Sequence, residues 1–259
     1  MICRDVLLAV KRITQYFLRR LIPLLATNPS RSTNMIYNNI LTGRFIDRPN
    51  RFIAHIEIDG TVEVCHVKNT GRCRELLTEG ATVYVQRSEN PQRLTKFDLI
   101  AVEKGERLIN MDSQIPNRVF AEWAETSGYF GKATLRPETT YKNSRFDFYI
   151  EAGERKIFVE VKGVTLEEDG VVRFPDAPTE RGVKHLKELA AARAEGYEAY
   201  VFFVIQMEDC RYFTPNRDTH PIFADELRLA QAAGVEVVAL NCKVTPDSIT
   251  AKEFVPVHL

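Results

Sequence analysis

The sequence predicts two joined folds: a small closed β-barrel, then an α/β sandwich on a mixed sheet, α+β taken whole. Two observations carry this. Between Asn39 and about Val102 the chain reads as short strands and turns with little helix. Beyond about residue 116, helical and strand patterns alternate, the order expected of an α/β layer. The chain of 259 residues, 44% apolar, is long enough for two ordinary cores.

The barrel comes first. In "RFIAHIEIDGTVEVCHV", Phe52, Ala54, Ile56 and Ile58 alternate with exposed types. Asp59-Gly60 follows, then Val62 and Val64 alternate again, which predicts a hairpin with an Asp-Gly turn. "GATVYVQRS" and "KFDLIAVEKG" supply further strands. Several short strands in about 70 residues suggest a barrel of the OB-fold type.

The texture changes at "PNRVFAEWAETSG". Pro116 precedes a helix, Gly128 ends it, and Val119, Phe120 and Trp123 recur at helical spacing. "TLRPETTYKNSRFDFYI" and "ERKIFVEVKGV" predict strands. "TERGVKHLKELAAARAEG" predicts a helix capped near Thr179 and stopped by Gly196. "YEAYVFFVIQM" is apolar almost throughout, as a central parallel strand should be. "HPIFADELRLAQAAG" predicts a last helix and "VEVVALNCKV" a last strand. The expected division is 1–34, 35–115 and 116–259.

In residues 1–34 the apolar runs are broken by Lys11, Arg12, Arg19 and Arg20, too often for a membrane span. The segment reads as a basic surface helix, or as an artefact of start-site choice, since Met35 begins the strand-like pattern. The artefact or a dispensable extension is favoured. Lys+Arg and Asp+Glu are both 35, which argues against a protein that simply coats nucleic acid or an anionic membrane. Five cysteines without a C-x-x-C fit a reducing cytoplasm and give no zinc-site spacing.

The informative stretch is "RFDFYIEAGERKIFVEVKGV". Side chains alternate across a strand. Phe146, Phe148 and Ile150 share one face of the first strand, and Asp147 lies opposite with Arg145 and Tyr149. Ile157, Val159 and Val161 share one face of the second, leaving Glu160 and Lys162 on the other. The short link Glu151 to Glu154 predicts a hairpin, which brings Asp147 near Glu160 and Lys162. Two carboxylates and a lysine at one sheet end suit Mg²⁺ or Mn²⁺, since hard cations take carboxylate oxygens and keep several waters. Such a site matches hydrolysis of a phosphodiester. The bland alternative is a structural Lys–Glu pair with Asp147 capping a turn. On the bare D-x₁₂-E-x-K spacing, that alternative is preferred.

The flanking motifs decide otherwise. "HVKNTGRCRELL", "SENPQRLTKFDLIAV", "NMDSQIPNRVFAEW", "SRFDFYI", "FVEVKGVTLEEDG", "FPDAPTERGVKHLKEL" and "AGVEVVALNCKVTP" together resemble the sugar fermentation stimulation protein A family, from about residue 37 to the C-terminus. The motif core resembles that of PD-(D/E)XK nucleases. The resemblance implies an N-terminal OB-fold, a C-terminal nuclease-like α/β sandwich, DNA binding, and a link to sugar (maltose) use. Asp147, Glu160 and Lys162 match the nuclease motif, Glu122 an acid on the preceding helix, and Glu138 an acid leading into the strand of Asp147. The expected catalytic set is therefore Asp147, Glu160, Lys162 and Glu122. The expected metal set is Asp147, Glu160 and Glu138. The alternative is a DNA-binding regulator whose nuclease core does not cut.

Basic and amide side chains offer phosphate contacts. Lys68, Asn69, Arg72 and Arg74 lie on one loop, Arg93 and Lys96 on another. Solvated turns are an equally weighted alternative. Thr179, Arg181, Lys184 and His185 surround a helix N-terminus, where anions are favoured. Phe45, Phe52 and Tyr84 are expected mostly as barrel core, and Cys65 and Cys73 likewise. DNA is the expected partner, weakly sequence-specific. No stable membrane insertion is expected, and a homo-oligomer stays open.

Overall fold

The computed structural model describes residues 35–69 and 71–259. Both readings of segment 1–34 lie outside these. The described chain opens with β1 (Met35–Ile36), which pairs with a strand near the C-terminus and so belongs to the larger sheet. The barrel follows: β2 (Ile40–Asn50), β3 (Ile53–Ile58), β4 (Thr61–Val67), β5 (Thr82–Arg87) and β6 (Phe97–Lys104). They run in the order β4-β3-β2-β5-β6, and a parallel pairing of β4 with β6 closes the ring. Alternation buries Ala54, Ile56, Ile58, Cys65, Val67, Val83 and Val85 inside it. Asp59 and Gly60 take φ of 49° and 75°, the two positive values that a type I′ hairpin turn requires. β7 (Arg107–Asn110) extends β6 towards the second part.

The second part runs α1 (Ile115–Thr126), β8 (Thr134–Tyr141), β9 (Ser144–Ala152), β10 (Arg155–Val164), β11 (Leu166–Glu168), β12 (Val171–Phe174), α2 (Glu180–Ala194), β13 (Glu198–Ile205), β14 (Tyr212–Pro215), α3 (Pro221–Ala232), β15 (Glu236–Thr245) and β16 (Ser248–Val255). Its seven-stranded sheet has the order β1-β16-β15-β13-β10-β9-β8. β10, β13 and β15 are parallel, the outer pairs antiparallel, so the sheet is mixed as expected. α1 seals one face through Val119 and Phe120, packed with Phe148, Val159 and Phe202. α2 and α3 seal the other through Leu186, Leu189, Phe223 and Leu227 against Phe158 and Phe203. Thr179 caps α2, its hydroxyl accepting from the Gly182 N–H at 3.0 Å.

The sequence pattern missed β7, β16 and a small sheet of order β11-β12-β14. These strands are short or carry polar residues on both faces, so period-two alternation is weak in them. The two parts share one apolar cluster that runs from the barrel core to the α2/α3 face. A shared apolar core opposes relative motion of the parts. Among the described residues no helix is long and apolar enough to cross a membrane.

Candidate functional site

The hairpin of β9 and β10 turns through Gly153-Glu154 and pairs Ile150 with Ile157 and Phe148 with Val159. This register puts Phe148, Ile150, Ile157, Val159 and Val161 on the α1 face, as the alternation predicts. Phe146 departs from it: its ring packs against Phe158 and Tyr141 on the α2 side. The cause lies at Asp147. The ladder ends at Phe148↔Val159, and the next N–H of β10, that of Val161, donates to Asp147 Oδ2 at 2.8 Å. A side-chain carboxylate stands in the place of a backbone acceptor, and the side-chain alternation of β9 breaks there. On the far side, Glu138 sits at φ 52° between the pairs Pro137↔Phe148 and Thr139↔Phe146, a second local irregularity beside Asp147.

The other oxygen of Asp147 accepts from Asn117 Nδ2 at 2.9 Å. Burial raises the Asp147 carboxyl above the usual range, and the charge of Glu160 adds to the rise. Glu160 is only 2% exposed. Its Oε1 accepts from Lys162 Nζ at 2.6 Å and from His185 Nδ1. Arg181 Nε donates to the opposite ring nitrogen, which leaves the Nδ1–H to face Glu160. Burial by itself would raise Glu160; the His185 hydrogen bond and the Lys162 charge outweigh it and hold the carboxyl low. Glu160 Oε2 is buried and meets no protein donor. A buried carboxylate oxygen without a partner carries a desolvation cost that a cation would remove.

The site thus brings together Asp147, Glu160, Lys162 and His185. Sequence reasoning placed His185 among the phosphate contacts. It is buried instead and braces Glu160, because α2 turns that face onto β10. Glu122 does not join them. Asn117 is the α1 residue that reaches Asp147, and Glu122 lies five residues on, about 140° round the helix. Asn117 is uncharged and follows Pro116 at the start of α1, so nothing in the local sequence marks it as a partner of Asp147. Glu138, across from Asp147 in register, is two-thirds exposed and lies 3.5 Å from Arg145. Among the described residues, no three His, Cys, Asp or Glu side chains form a ready cage for a metal. Two carboxylates with open positions fit Mg²⁺ nonetheless, because that ion keeps waters and takes substrate phosphate as ligand.

The expected DNA contacts divide in two. Lys68 is committed to buried Asp112 at 2.9 Å, with Asp98 at 3.9 Å. Arg93 grips Asp98 through both terminal nitrogens, at 2.6 and 2.9 Å. Asn69 Oδ1 accepts from the Gly71 N–H. Thr179 is spent on capping, and Lys184 Nζ donates to the Asn143 carbonyl at 2.8 Å. Arg72, Arg74, Lys96 and Arg181 are exposed. Phe45 is core, whereas Phe52 is exposed under the guanidinium of Arg51, 5.0 Å from the ring centre. Tyr84 is half-buried, its hydroxyl donating to Glu103. Cys65 and Cys73 are buried, and burial pushes both thiols up to about 12.

Comparison with known proteins decides the family. Residues 46–111 match the SfsA N-terminal OB domain, and residues 114–248 match the Sugar fermentation stimulation protein RE domain. The chain belongs to the sugar fermentation stimulation protein family. Among relatives of this family, the homolog of Desulfitobacterium hafniense strain DCB-2 is 64% identical over 226 residues, covering 87% of this chain and 99% of its own. That of Clostridium beijerinckii is 59% identical over the same length and is covered completely. The SfsA structure from Pyrococcus furiosus, solved in complex with Ca²⁺, aligns with a TM-score of 0.80 at 26% identity. It covers 87% of this family member and 98% of its own chain.

Proposed function

We propose that the chain is a divalent-cation-dependent phosphodiesterase acting on DNA, with Asp147 and Glu160 holding Mg²⁺ or Mn²⁺. The observation that carries this is the partnerless buried oxygen Glu160 Oε2, beside the half-buried carboxylate of Asp147. The Ca²⁺ bound by the solved relative supports a cation here. Bound at these carboxylates, such an ion supplies Lewis acidity at a phosphate. The protein's own groups do the rest. Asn117 fixes Asp147, and His185 fixes Glu160. Lys162, one-fifth exposed, offsets negative charge as it builds on the phosphate. Exposed Arg72, Arg74, Lys96 and Arg181 hold the backbone of the strand.

One observation favours a second reading, a DNA-binding regulator of sugar use that does not cut. Lys162 is already paired with Glu160 at 2.6 Å, which a structural ion pair explains equally well. A cleavage screen of single-stranded, duplex and branched DNA with Mg²⁺ or Mn²⁺ separates the two, with Glu160→Gln as control. Cleavage that needs both cation and Glu160 establishes the first reading. No cleavage of any substrate, beside DNA binding, leaves the second.

A further inference from the structure

A cleft of 170 Å³ opens between the barrel and the sheet, beginning at Gly163, the residue after Lys162. It is smaller than the roughly 300–1,000 Å³ of sites for drug-sized ligands, so it suits one compact group. One wall is built on hydrogen bonds. Arg48 donates to the carbonyls of Asn69, Gly71 and Arg72 at 2.6, 2.9 and 3.0 Å, and Asp176 Oδ2 accepts from the Arg72 N–H. Phe174 forms an apolar wall, its ring held by Phe203 and Phe223. Gln206 is 1% exposed, and its Nε2 is committed to Asn110 and Asp112. Its carbonyl oxygen is left beside Gly163, where a Cβ would stand 2.5 Å from it. Arg173 Nε is buried without a hydrogen-bond partner; the nearest acid, Glu168, is 3.9 Å away.

The lining therefore offers acceptors at Gln206 and Asp176, the one-third-exposed guanidinium of Arg173 as donor, and an aromatic ring. A phosphate would meet the Asp176 carboxylate at close range. A planar neutral group with a donor-and-acceptor edge meets no such conflict. We propose that this interdomain cleft receives one unstacked base of a single-stranded nucleic acid. The inference rests on the nucleic-acid reading above and sharpens it: the strand is anchored by a base one residue from Lys162. Because both parts of the chain wall the cleft, base capture requires the barrel.

The test uses the full chain with Ca²⁺ in place of Mg²⁺. Fluorescence anisotropy compares a single-stranded oligonucleotide with the same strand made abasic, and NMR titration follows free guanosine. The variants are Arg173→Met, which removes the donor, and Leu166→Trp, which fills the cleft, each checked by thermal melting. Loss of base–aromatic stacking predicts binding of the abasic strand about tenfold weaker. Both variants should erase that difference and abolish guanosine shifts; if Leu166→Trp fails to fold, Arg173→Met decides. Equal affinity for intact and abasic strands, without guanosine binding, overturns the base pocket and leaves DNA binding standing. Guanosine binding that Arg173→Met removes, without oligonucleotide binding, overturns the DNA reading and with it the capture of a strand's base, leaving a pocket for a free nucleoside. Absence of both overturns both.

Discussion

Lys104, at the end of a barrel strand, reaches across to Glu167 on the small sheet of the second part, 2.9 Å from carboxylate to ammonium. Arg107 takes the other oxygen at 2.8 Å, and Glu167 is 1% exposed at the side chain. Burial alone would raise this carboxyl; hydrogen bonds from Lys104 and the Gly170 N–H, with Arg107 beside them, hold it low. A group held lower in the fold than in the unfolded chain stabilises above its unfolded value. That stabilisation disappears as pH falls through the folded value. Glu167→Gln should therefore lower the melting temperature at neutral pH, with a cost of about 1–3 kcal/mol. The gap to the native chain should close as the solution is acidified below the ordinary carboxylate range. Melting curves across pH check this, and a gap that does not change with pH would contradict it.

Lys162→Met tests the proposed site directly. Glu160 keeps His185 as a partner, so the fold should survive with a loss of about 1–3 kcal/mol. Cleavage should disappear while Mn²⁺ binding, measured by calorimetry, persists. A variant that melts early, beside a native chain that cuts nothing, would make the Lys162–Glu160 pair structural.

His185→Phe removes a brace and no proposed ligand. The expected result is Mn²⁺ affinity reduced by roughly 10–100-fold, the usual effect of losing a partner behind a metal ligand. Calorimetry reads it whether or not the protein cleaves. Unchanged affinity would show that Lys162 orients Glu160 alone.

The basic residues should separate by what they already hold. Arg74→Ala and Lys96→Ala should weaken DNA binding on unrelated sequences and reduce the salt slope by about 1 each. Arg93→Ala should instead lower the melting temperature, because Asp98 is buried and loses its two-pronged partner. Anisotropy against salt and melting, run on the same variants, would refute this sorting if Arg93→Ala changed only the slope.

What could be read in advance followed the strength of the local patterns. The Asp59-Gly60 hairpin and the helix capped by Thr179 carry their signals within a few residues. The hairpin of β9 and β10 and the pairing of Ile150 with Ile157 followed from alternation because the link is short, whereas the break at Phe146 and Asp147 did not. What depended on distant packing could not be read. Nothing in "RGVKHLKEL" says whether His185 faces solvent or Glu160; the choice is made by how α2 sits on the sheet. Lys68 looked like a phosphate contact because its acid, Asp112, lies 44 residues away; Asp98 is only five residues from Arg93, but which way the loop turns that arginine is set by the fold. The small sheet of β11, β12 and β14 has strands too short for periodicity to register.

Asp147 occupies a rung of the sheet with its side chain, and this ties architecture to chemistry at one atom pair. Replacing it by alanine would leave the Val161 N–H without its acceptor, so any loss of activity would arrive mixed with a loosened strand. The two can be separated by asparagine, whose carbonyl oxygen can still accept from Val161 while its charge is gone. The same tie has a historical meaning. A descendant that had abandoned cutting would still need an acceptor at this position to keep its sheet. The aspartate can thus outlast the reaction, and its presence in a chain is weaker testimony to catalysis than the open oxygen of Glu160.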